Sequence, residues 1–361
     1  MRELFPKAKT RASLIAALVF SAALGIYLYP CPGHAASSVG IKLPNDPNVR
    51  VLRALLGQPE NQIDFAKAKV TIDRMIDPTV DEQATLNLLD AWAHKVRARI
   101  PPGASHVVQL MILGSTIYEP GPWNDNKPFS YDLDDPFGKD IQNKLISTYL
   151  ATRKGNCVSM PILLVILGQK IGLNMTLAVA PNHMLAKFRQ DDGTWINIEA
   201  TSGTWINIEA TSGTTFNDSD YQSQLHITPL GMQSGIYLRP LSQKEAVGAM
   251  MGTLEDFYER QRSPEHQLGL TELALKVNPK DVVSIIRRAG AYYHLLQQRY
   301  VSRYPRPDLI PASQRGDFQM LSKNNSQLFE QAEALGWRQP TNEEDAAYLQ
   351  RARSVKAQRG E

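Results

Sequence analysis

The sequence contains little cysteine and little net charge, and each shortage excludes a class of protein. Its 361 residues include two cysteines, Cys31 and Cys157, so a small scaffold held together by several disulfides is excluded. The formal net charge is only +3, and 43% hydrophobic with 21% charged residues excludes a disordered or collagen-like chain. The length is sufficient for one large domain or two smaller ones.

Long hydrophobic runs are also scarce, and the main one lies near the N-terminus. Residues 12–29 carry no charge, follow a basic flank, and precede prolines and small residues. This order is typical of a secretory signal peptide, here with cleavage after Ala35. An uncleaved membrane anchor is the alternative, because eighteen apolar residues are at the lower limit for spanning a bilayer. Both interpretations predict that residues 1–35 direct export, with a periplasmic location and membrane contact only through this segment if it is uncleaved.

Removal of residues 1–35 changes the charge and the cysteine count. The segment carries four basic residues against one acidic residue, so the remaining 326 residues have a formal net charge of zero and one cysteine. No basic stripe is left, and we therefore expect no nucleic-acid partner. A lone thiol in an oxidising compartment is either buried and inert or retained for its chemistry.

The hydrophobic pattern divides the rest of the chain into three regions. Residues 41–128 have apolar side chains at helical spacing, for example Leu86, Leu89 and Ala93, and this predicts a helical N-terminal subdomain. Residues 129–241 form a region of mixed pattern. Residues 242–361 are again helical in pattern.

The middle region predicts a helix packed on an antiparallel sheet. A helix is expected over 141–152, and Cys157 opens a strongly apolar run that predicts a second helix. Strand patterns follow at 176–180, 184–188 and 194–199, with a turn signal before the last. We therefore expect an α+β fold, flanked by helical N-terminal and C-terminal regions.

An exact ten-residue duplication lies at the end of this region. Residues 193–202 read GTWINIEATS, and residues 203–212 repeat them without change. Two short copies indicate a local duplication rather than a solenoid. Because ten is an even number, Glu199 and Glu209 point to the same face if both copies are strands, so either could supply a carboxylate.

Three residue types in this region suit nucleophilic catalysis. Cys157 is placed at a helix N-terminus, where the helix dipole and a neighbouring imidazolium lower the pKa of a thiol. His183 precedes a strand, and Glu199 ends the next strand, so a hairpin would bring these two residues onto adjacent strands. A base needs such a third group to hold its orientation. A Cys-His-acid triad is therefore compatible with the predicted order of elements.

These residues carry a family resemblance. The relevant segments are RKGNCVS at 153–159, Gly172-Leu173, His183, GTW at 193–195 and EAT at 199–201. Together they resemble the transglutaminase-like superfamily, and in particular its SirB1-type branch, in which tetratricopeptide-like helices follow the core. The resemblance extends over about 129–213, and more loosely over 52–295.

The resemblance implies a papain-like core with defined roles for the site residues. Cys157 would be the nucleophile, His183 the general base and Glu199 the orienting acid. Glu199 is preferred because it follows His183 by a distance suited to a direct hairpin, and Glu209 is the alternative acid. The backbone N–H of Cys157 would stabilise the oxyanion, and Asn143 and Asn156 are both candidates for the second donor.

The C-terminal region contains a pattern of its own. Ala274, Pro279, Ala289 and Tyr292 fit the 34-residue frame of a tetratricopeptide repeat, and this predicts one degenerate repeat within 242–361. Such helices are candidates for binding a protein partner.

Two functions from different classes agree with these features. The first is an exported cysteine hydrolase of the peptidase or amidase kind, acting on a protein or peptide through a thioester. The second is a catalytically inactive scaffold that binds a protein through its C-terminal helices, since SirB1-type proteins often lack the cysteine. No cofactor or metal is expected, because His94, His106 and His226 are scattered and Cys157 has no partner at ligand spacing.

Overall fold

The computed structural model describes residues 41–135, 137–198, 218–347 and 349–350. The chain first forms helices α1 (Pro47–Leu56), α2 (Phe65–Ile76), α3 (Glu82–Arg97) and α4 (His106–Tyr118). An aspartate or serine precedes each of them and accepts a hydrogen bond from a backbone N–H of the first turn. The helical pattern of the N-terminal region thus corresponds to helices with regular N-caps.

The middle region alternates short helices with strands. Its elements are β1 (Ser130–Tyr131), α5 (Ile146–Thr152), β2 (Lys154–Gly155), α6 (Ser159–Lys170), β3 (Met175–Ala180), β4 (His183–Arg189) and β5 (Trp195–Ile198). Strands β1 and β2 form a parallel pair, whereas β3, β4 and β5 form an antiparallel sheet in sequence order. The α+β class predicted from the sequence is confirmed.

The helix predicted over 141–152 is wrong in its first turn. Residues Gln142–Lys144 form a 3₁₀ turn, Leu145 is extended, and the α-helix begins only at Ile146. A buried ion pair on α2 binds the backbone at this break: Lys69 donates to the carbonyl of Lys144 at 2.8 Å, and Asp73 accepts from the N–H of Ile146 at 2.7 Å. These two bonds replace helical ones, and so they interrupt the helix.

Helix α6 is the centre of the fold. Every residue from Ser159 to Gly168 is buried. The helix packs against α3, α4, α5 and the strands β3 and β4. A helix that is apolar on all sides must be surrounded in this way. Its N-terminal end, which follows Cys157, is consequently held in a fixed position.

The strands meet at short turns that set the register. Pro181-Asn182 connects β3 to β4, with Ala180 paired to His183, and Asn182 has a φ of 54°, a conformation that asparagine tolerates. Strand β5 returns alongside β4, with Ile198 opposite Ala186. His183 is therefore the first residue of β4, directly beside the turn.

Helices continue after the described part of the sheet. They are α7 (Asp218–Gln224), α8 (Pro229–Ser234), α9 (Gln243–Arg260), α10 (Pro264–Val277), α11 (Val282–Leu296) and α12 (Ala312–Ala334). Consecutive helices from α9 to α12 pack against each other, and α9 also packs against α2 and β3. The helical pattern predicted for the C-terminal region is present in these elements.

The hydrophobic core crosses the boundaries of the three sequence regions. One cluster contains residues of α1 to α4, most of α6, one face of the sheet, and residues of α9 and α10 such as Met250 and Leu273. The other sheet face, with Ala178 and Leu185, is covered by a second cluster that includes Tyr221 and Ile285. Helix α9 thus belongs to the same core as the N-terminal helices. The boundaries proposed between the regions stay a prediction.

The predicted signal peptide or anchor at residues 1–35 lies outside the described residues. Among the helices that the structure describes, none has both the length and the apolarity needed to cross a bilayer.

Candidate functional site

Cys157 lies immediately before the N-terminus of the central helix α6. Asn156, which is fully buried, accepts hydrogen bonds through its Oδ1 atom from the backbone N–H groups of Val158 and Ser159. In return, the N–H of Asn156 donates to the hydroxyl of Ser159. These bonds fix the first turn of the helix and the residue that precedes it. The free thiol of Cys157 is partly exposed, close to the positive end of the helix dipole.

The preceding loop is joined to the same helix. The hydroxyl of Ser159 donates to the backbone carbonyl of Asn143 at 2.8 Å. The side-chain amide of Asn143 donates in turn to the carboxylates of Asp132 and Asp135, both at 3.1 Å. Asp132 and Asp135 therefore orient Asn143, and the backbone carbonyl of Asn143 accepts a hydrogen bond from Ser159 at the start of α6.

His183 reaches the region of Cys157 through the β3–β4 turn. The Sγ atom of Cys157 lies 3.8 Å from the backbone carbonyl oxygen of Asn182, the residue before His183. The imidazole of His183 stacks on the ring of Tyr221 from α7, with ring centroids 6.3 Å apart. Cys157 and His183 line one cavity of about 760 Å³. The predicted nucleophile and the predicted base thus line the same cavity.

Of the other four predicted site residues, two are described by the structure and two are not. Glu199 and Glu209 lie outside the described residues. Asn143 and Asn156 are not among the described residues that line the cavity, and the two carboxylates already accept from the amide of Asn143. The Nδ2 atom of Asn156 is buried without a hydrogen-bond partner in the described part of the chain. An oxyanion role for either asparagine stays a prediction.

Helices α9 and α11 supply a charged wall of the same cavity. Asp256 accepts from Lys144 and from Arg287, both at 2.6 Å, and Arg287 also donates to Glu255 at 3.2 Å. Burial alone would raise the pKa of Asp256, but the charges of Arg287 and Lys144 outweigh this effect and lower the pKa. Glu255 is fully buried, and burial raises its pKa to about 7 against the opposing charge of Arg287.

No pattern in the sequence indicates that Lys144, Asp256 and Arg287 line the same cavity. Lys144 is 112 residues from Asp256, and Arg287 lies in a separate helix. In the sequence, each of these charged residues is indistinguishable from a charge on the solvent-exposed face of a helix or loop. Only the packing of α9 beside the loop at residue 144 brings the three together.

The described residues contain no group of three or more His, Cys, Asp or Glu side chains arranged to hold a metal ion.

Comparison with known proteins agrees with the geometry. The model of a family described as the transglutaminase-like superfamily matches residues 83–251, which extend from α3 through α6 and the sheet into α9. Comparisons with curated proteins and with solved structures give no match. The matched region contains Cys157, His183 and the core helix between the sheet and the N-terminal helices. The part of the chain that holds the candidate site is thus similar to the transglutaminase-like superfamily.

Proposed function

We propose that the protein is an exported cysteine hydrolase, a peptidase or amidase, with Cys157 as nucleophile and His183 as general base. The observation that carries the proposal is that both residues line one cavity, with the thiol at the N-terminus of a fixed, buried helix. A helix N-terminus and a neighbouring imidazolium are the two environments that favour a thiolate. The transglutaminase-like domain is compatible with this chemistry.

The proposed reaction proceeds through a thioester. The thiolate of Cys157 attacks the carbonyl carbon of an amide or ester, and the carbonyl oxygen becomes an oxyanion. Among the described residues, no hydrogen bond uses the backbone N–H of Cys157, which is therefore available to that oxyanion. His183 gives its proton to the leaving group, which departs as the thioester forms, and then activates water to release the acid. Transfer to an amine would follow the same first step, but hydrolysis needs no second binding site.

Glu199 is proposed as the orienting acid, with Glu209 as the alternative. The described register supports Glu199 because Asn197 is paired with Lys187, and the side chain of Asn197 contacts Asp218 of α7, at 2.8 Å. Every second residue of a strand points to the same face of the sheet. Residues 197 and 199 therefore share one face if the strand continues, and Lys187 and His183 share one face of β4. If the strand continues, position 199 belongs to the sheet face on which His183 meets α7.

The pH dependence of alkylation at Cys157 tests the nucleophile and the base. An ordinary thiol with a pKa of about 8.5 is almost entirely protonated at pH 6. We expect iodoacetamide to modify Cys157 at least about tenfold faster than a model thiol at pH 6, even though a more acidic thiolate is intrinsically less nucleophilic. His183→Ala should remove most of this advantage at pH 6.

The control for this experiment is His94→Ala, because His94 is exposed on α3, away from the cavity lining. Mass-spectrometric mapping of the modified residue separates Cys157 from Cys31. A rate at pH 6 that is no faster than that of a model thiol and does not change in His183→Ala would contradict the proposed catalytic pair.

The same rate profile distinguishes the two glutamates. Glu199→Gln is expected to slow alkylation at pH 6 severalfold, because the imidazolium loses the group that holds it in place. Glu209→Gln should leave the profile unchanged, and a chain that lacks residues 203–212 should behave like the wild type. Loss of reactivity in Glu209→Gln alone would transfer the role to the second copy.

A scaffold function is the second candidate, and the packing of α10 and α11 favours it. These helices span Pro264–Val277 and Val282–Leu296, are separated by four residues, and pack against each other. This arrangement is similar to one tetratricopeptide repeat, and a SirB1-type, inactive relative would use such helices to bind a protein. A partner that Cys157→Ala and wild-type protein retain equally, with alkylation of Cys157 at pH 6 no faster than that of a model thiol, would support this function over catalysis.

Export is part of the proposal. It rests on the order of basic, apolar and small residues in residues 1–35. N-terminal sequencing of the protein recovered from an exported fraction distinguishes cleavage after Ala35 from an intact anchor.

A further inference from the structure

The cavity beside Cys157 extends to a wall that carries an excess of hydrogen-bond donors. We propose that Lys144, Thr253 and Arg287 form a carboxylate-binding subsite, so that preferred substrates of Cys157 carry a free carboxylate near the scissile bond. This inference rests on the proposed function, because it names the substrate class of the same site. The residues involved are specificity-determining and take no part in the chemical step.

The shape of α9 leaves space for a ligand at this wall. Gly248 and Gly252 lie one turn apart and both line the cavity. A Cβ atom at position 248 would meet nothing within 4 Å, whereas one at position 252 would lie 2.5 Å from Nη1 of Arg287. The guanidinium group of Arg287 therefore lies directly over Gly252, beside open space above Gly248.

The two cations retain donors that no group in the described part of the chain uses. Arg287 donates through Nη1 to Glu255 and through Nη2 to Asp256, and within the described residues its Nε–H has no partner. Lys144 uses its ammonium group for one described bond, to Asp256, out of three possible donors. Their side chains are 22% and 13% exposed, and both residues line the cavity. They can therefore donate further hydrogen bonds to a ligand.

The acidic side chains at this wall, by contrast, already accept hydrogen bonds from other groups of the protein or are buried. Both oxygens of Asp256 accept from the two cations. Asp281 accepts from the backbone N–H groups of Val283 and Ser284 and from the Ser284 hydroxyl, because it is the N-cap of α11. Glu255 is fully buried and, with a pKa of about 7, can take up a proton near neutral pH. The wall thus offers donors rather than acceptors, which suits an anion better than a cation.

An unpartnered hydroxyl is an independent sign of a ligand. Thr253 lines the cavity and is 3% exposed, yet its Oγ1 atom has no hydrogen-bond partner among the described residues. Leaving a buried hydroxyl without a partner is unfavourable, and native structures rarely do so without a reason. A carboxylate oxygen bound beside Arg287 would provide the missing acceptor. Planar, bidentate donation to a carboxylate is the geometry for which arginine is best suited.

Lys144 connects the subsite to the loop that carries Cys157, and all four residues, Cys157 and the three of the subsite, line the same cavity. The Cε atom of Lys144 and the Nδ2 atom of Asn156 lie 3.3 and 2.8 Å from the position that a Cβ of residue 138 would take. The stem of Lys144 is therefore adjacent to Asn156, the residue before Cys157. A substrate held by Lys144 through its carboxylate would place a carbonyl group only a few bonds away at the thiol.

Maleimides with and without a carboxylate test the subsite. The probes are 3-maleimidopropionate and 6-maleimidohexanoate, each compared with its own methyl ester for the second-order rate of modification of Cys157. The ratio of acid to ester cancels the intrinsic reactivity of the thiol, because both probes have the same electrophile. We expect the acid to react at least tenfold faster than its ester for one of the two spacer lengths. Lys144→Met and Arg287→Gln should each reduce the ratio to between one and three, and Thr253→Val should reduce it severalfold.

Two controls make the result specific. Lys139→Met removes an exposed cation that lines the same cavity beside Phe137, and it should leave the ratio unchanged. The double variant Arg287→Gln/Glu255→Gln removes the cation without leaving a buried carboxylate unpaired, and should lose the preference while retaining a cooperative unfolding transition.

Equal rates for acid and ester in the wild type would overturn the subsite. So would a preference that persists in both Lys144→Met and Arg287→Gln, or one that Lys139→Met removes equally. Failure of the proposed function is distinguishable, because the methyl esters would then modify Cys157 at pH 6 no faster than a model thiol, and at a rate independent of His183, whatever the ratio of acid to ester.

Discussion

Replacement of Lys69 by methionine is expected to lower the free energy of unfolding by about 3–5 kcal/mol at neutral pH. Lys69 and Asp73 form an ion pair on α2 in which both side chains are fully buried. Methionine has a similar length but leaves the carboxylate of Asp73 without its counterion. The backbone carbonyl of Lys144 also loses its donor. The large loss arises because the charge of Asp73 stays buried without a counterion. It does not measure the net contribution of the ion pair to the free energy of unfolding.

This loss should depend on pH in a defined direction. Burial raises the pKa of Asp73 above its value in the unfolded chain, and Lys69 opposes this rise. The folded protein binds the proton of Asp73 more tightly than the unfolded chain does. The free energy of unfolding therefore falls as the pH increases from about 3.8, the ordinary pKa of an aspartate, through the raised pKa of Asp73 in the folded state. Without Lys69 the pKa rises further, so the variant should approach wild-type stability as the pH is lowered towards 4. Urea unfolding at pH 7.5 and at pH 4.5 measures the difference.

Two variants control the effect of Lys69. Lys67→Met changes an exposed lysine of the same helix and should alter the free energy of unfolding by no more than about 0.5 kcal/mol. The double variant Lys69→Met/Asp73→Asn removes the charge while an amide oxygen can still accept from Ile146, and should recover at least about half of the loss. A single variant as stable as the wild type at pH 7.5 would contradict the role of the ion pair.

Gly155→Ala is expected to destabilise the protein by about 1–3 kcal/mol and to slow alkylation of Cys157 at pH 6 tenfold or more. A Cβ atom at this position would lie 2.6 Å from Oγ of Ser159 and from the ring of Tyr149. Tyr149 is fully buried against Phe129, with ring centroids 5.0 Å apart, and cannot move aside without disturbing the core. Displacement of Ser159 would disrupt the hydrogen bonds that fix the start of α6.

The control is Gly316→Ala in α12, where a Cβ atom would meet nothing within 4 Å. Alanine at an exposed helical position should stabilise the protein by up to about 1 kcal/mol and leave alkylation unchanged. If Gly155→Ala has a wild-type alkylation rate at pH 6, the backbone at 155 does not position the thiol.

Local signals in the sequence predicted those parts of the fold that depend on neighbouring residues. The run after Cys157 is apolar on all sides and predicts a buried helix, and α6 begins two residues after the cysteine. The pattern around Pro181-Asn182 predicts two strands, and β3 and β4 extend those predictions by one or two residues. Side-chain periodicity and turn residues suffice for such elements, because these properties act over a few residues.

Contacts between distant segments account for what could not be predicted. The sequence around Ile141 favours a helix, but a buried ion pair from α2 binds the backbone of Lys144 and Ile146 and shortens it. The charged cavity wall likewise requires Lys144 and Arg287 to meet at Asp256 across separate elements. No periodicity within one segment encodes either arrangement. Cys157 is a candidate because it is the one cysteine after residue 35, and His183 because it lies at the start of a predicted strand; their catalytic roles stay a prediction.

Helix α9 belongs both to the hydrophobic core and to the wall of the cavity. Val247, Met250 and Leu254 are buried in the core shared with the N-terminal helices, while Gly248 and Gly252 line the cavity. Occupancy of the cavity is therefore linked to unfolding of the whole molecule, since a ligand that binds only the folded state stabilises it by mass action. A thermal-shift screen of small carboxylic acids and their esters would accordingly report on substrate chemistry without a catalytic assay.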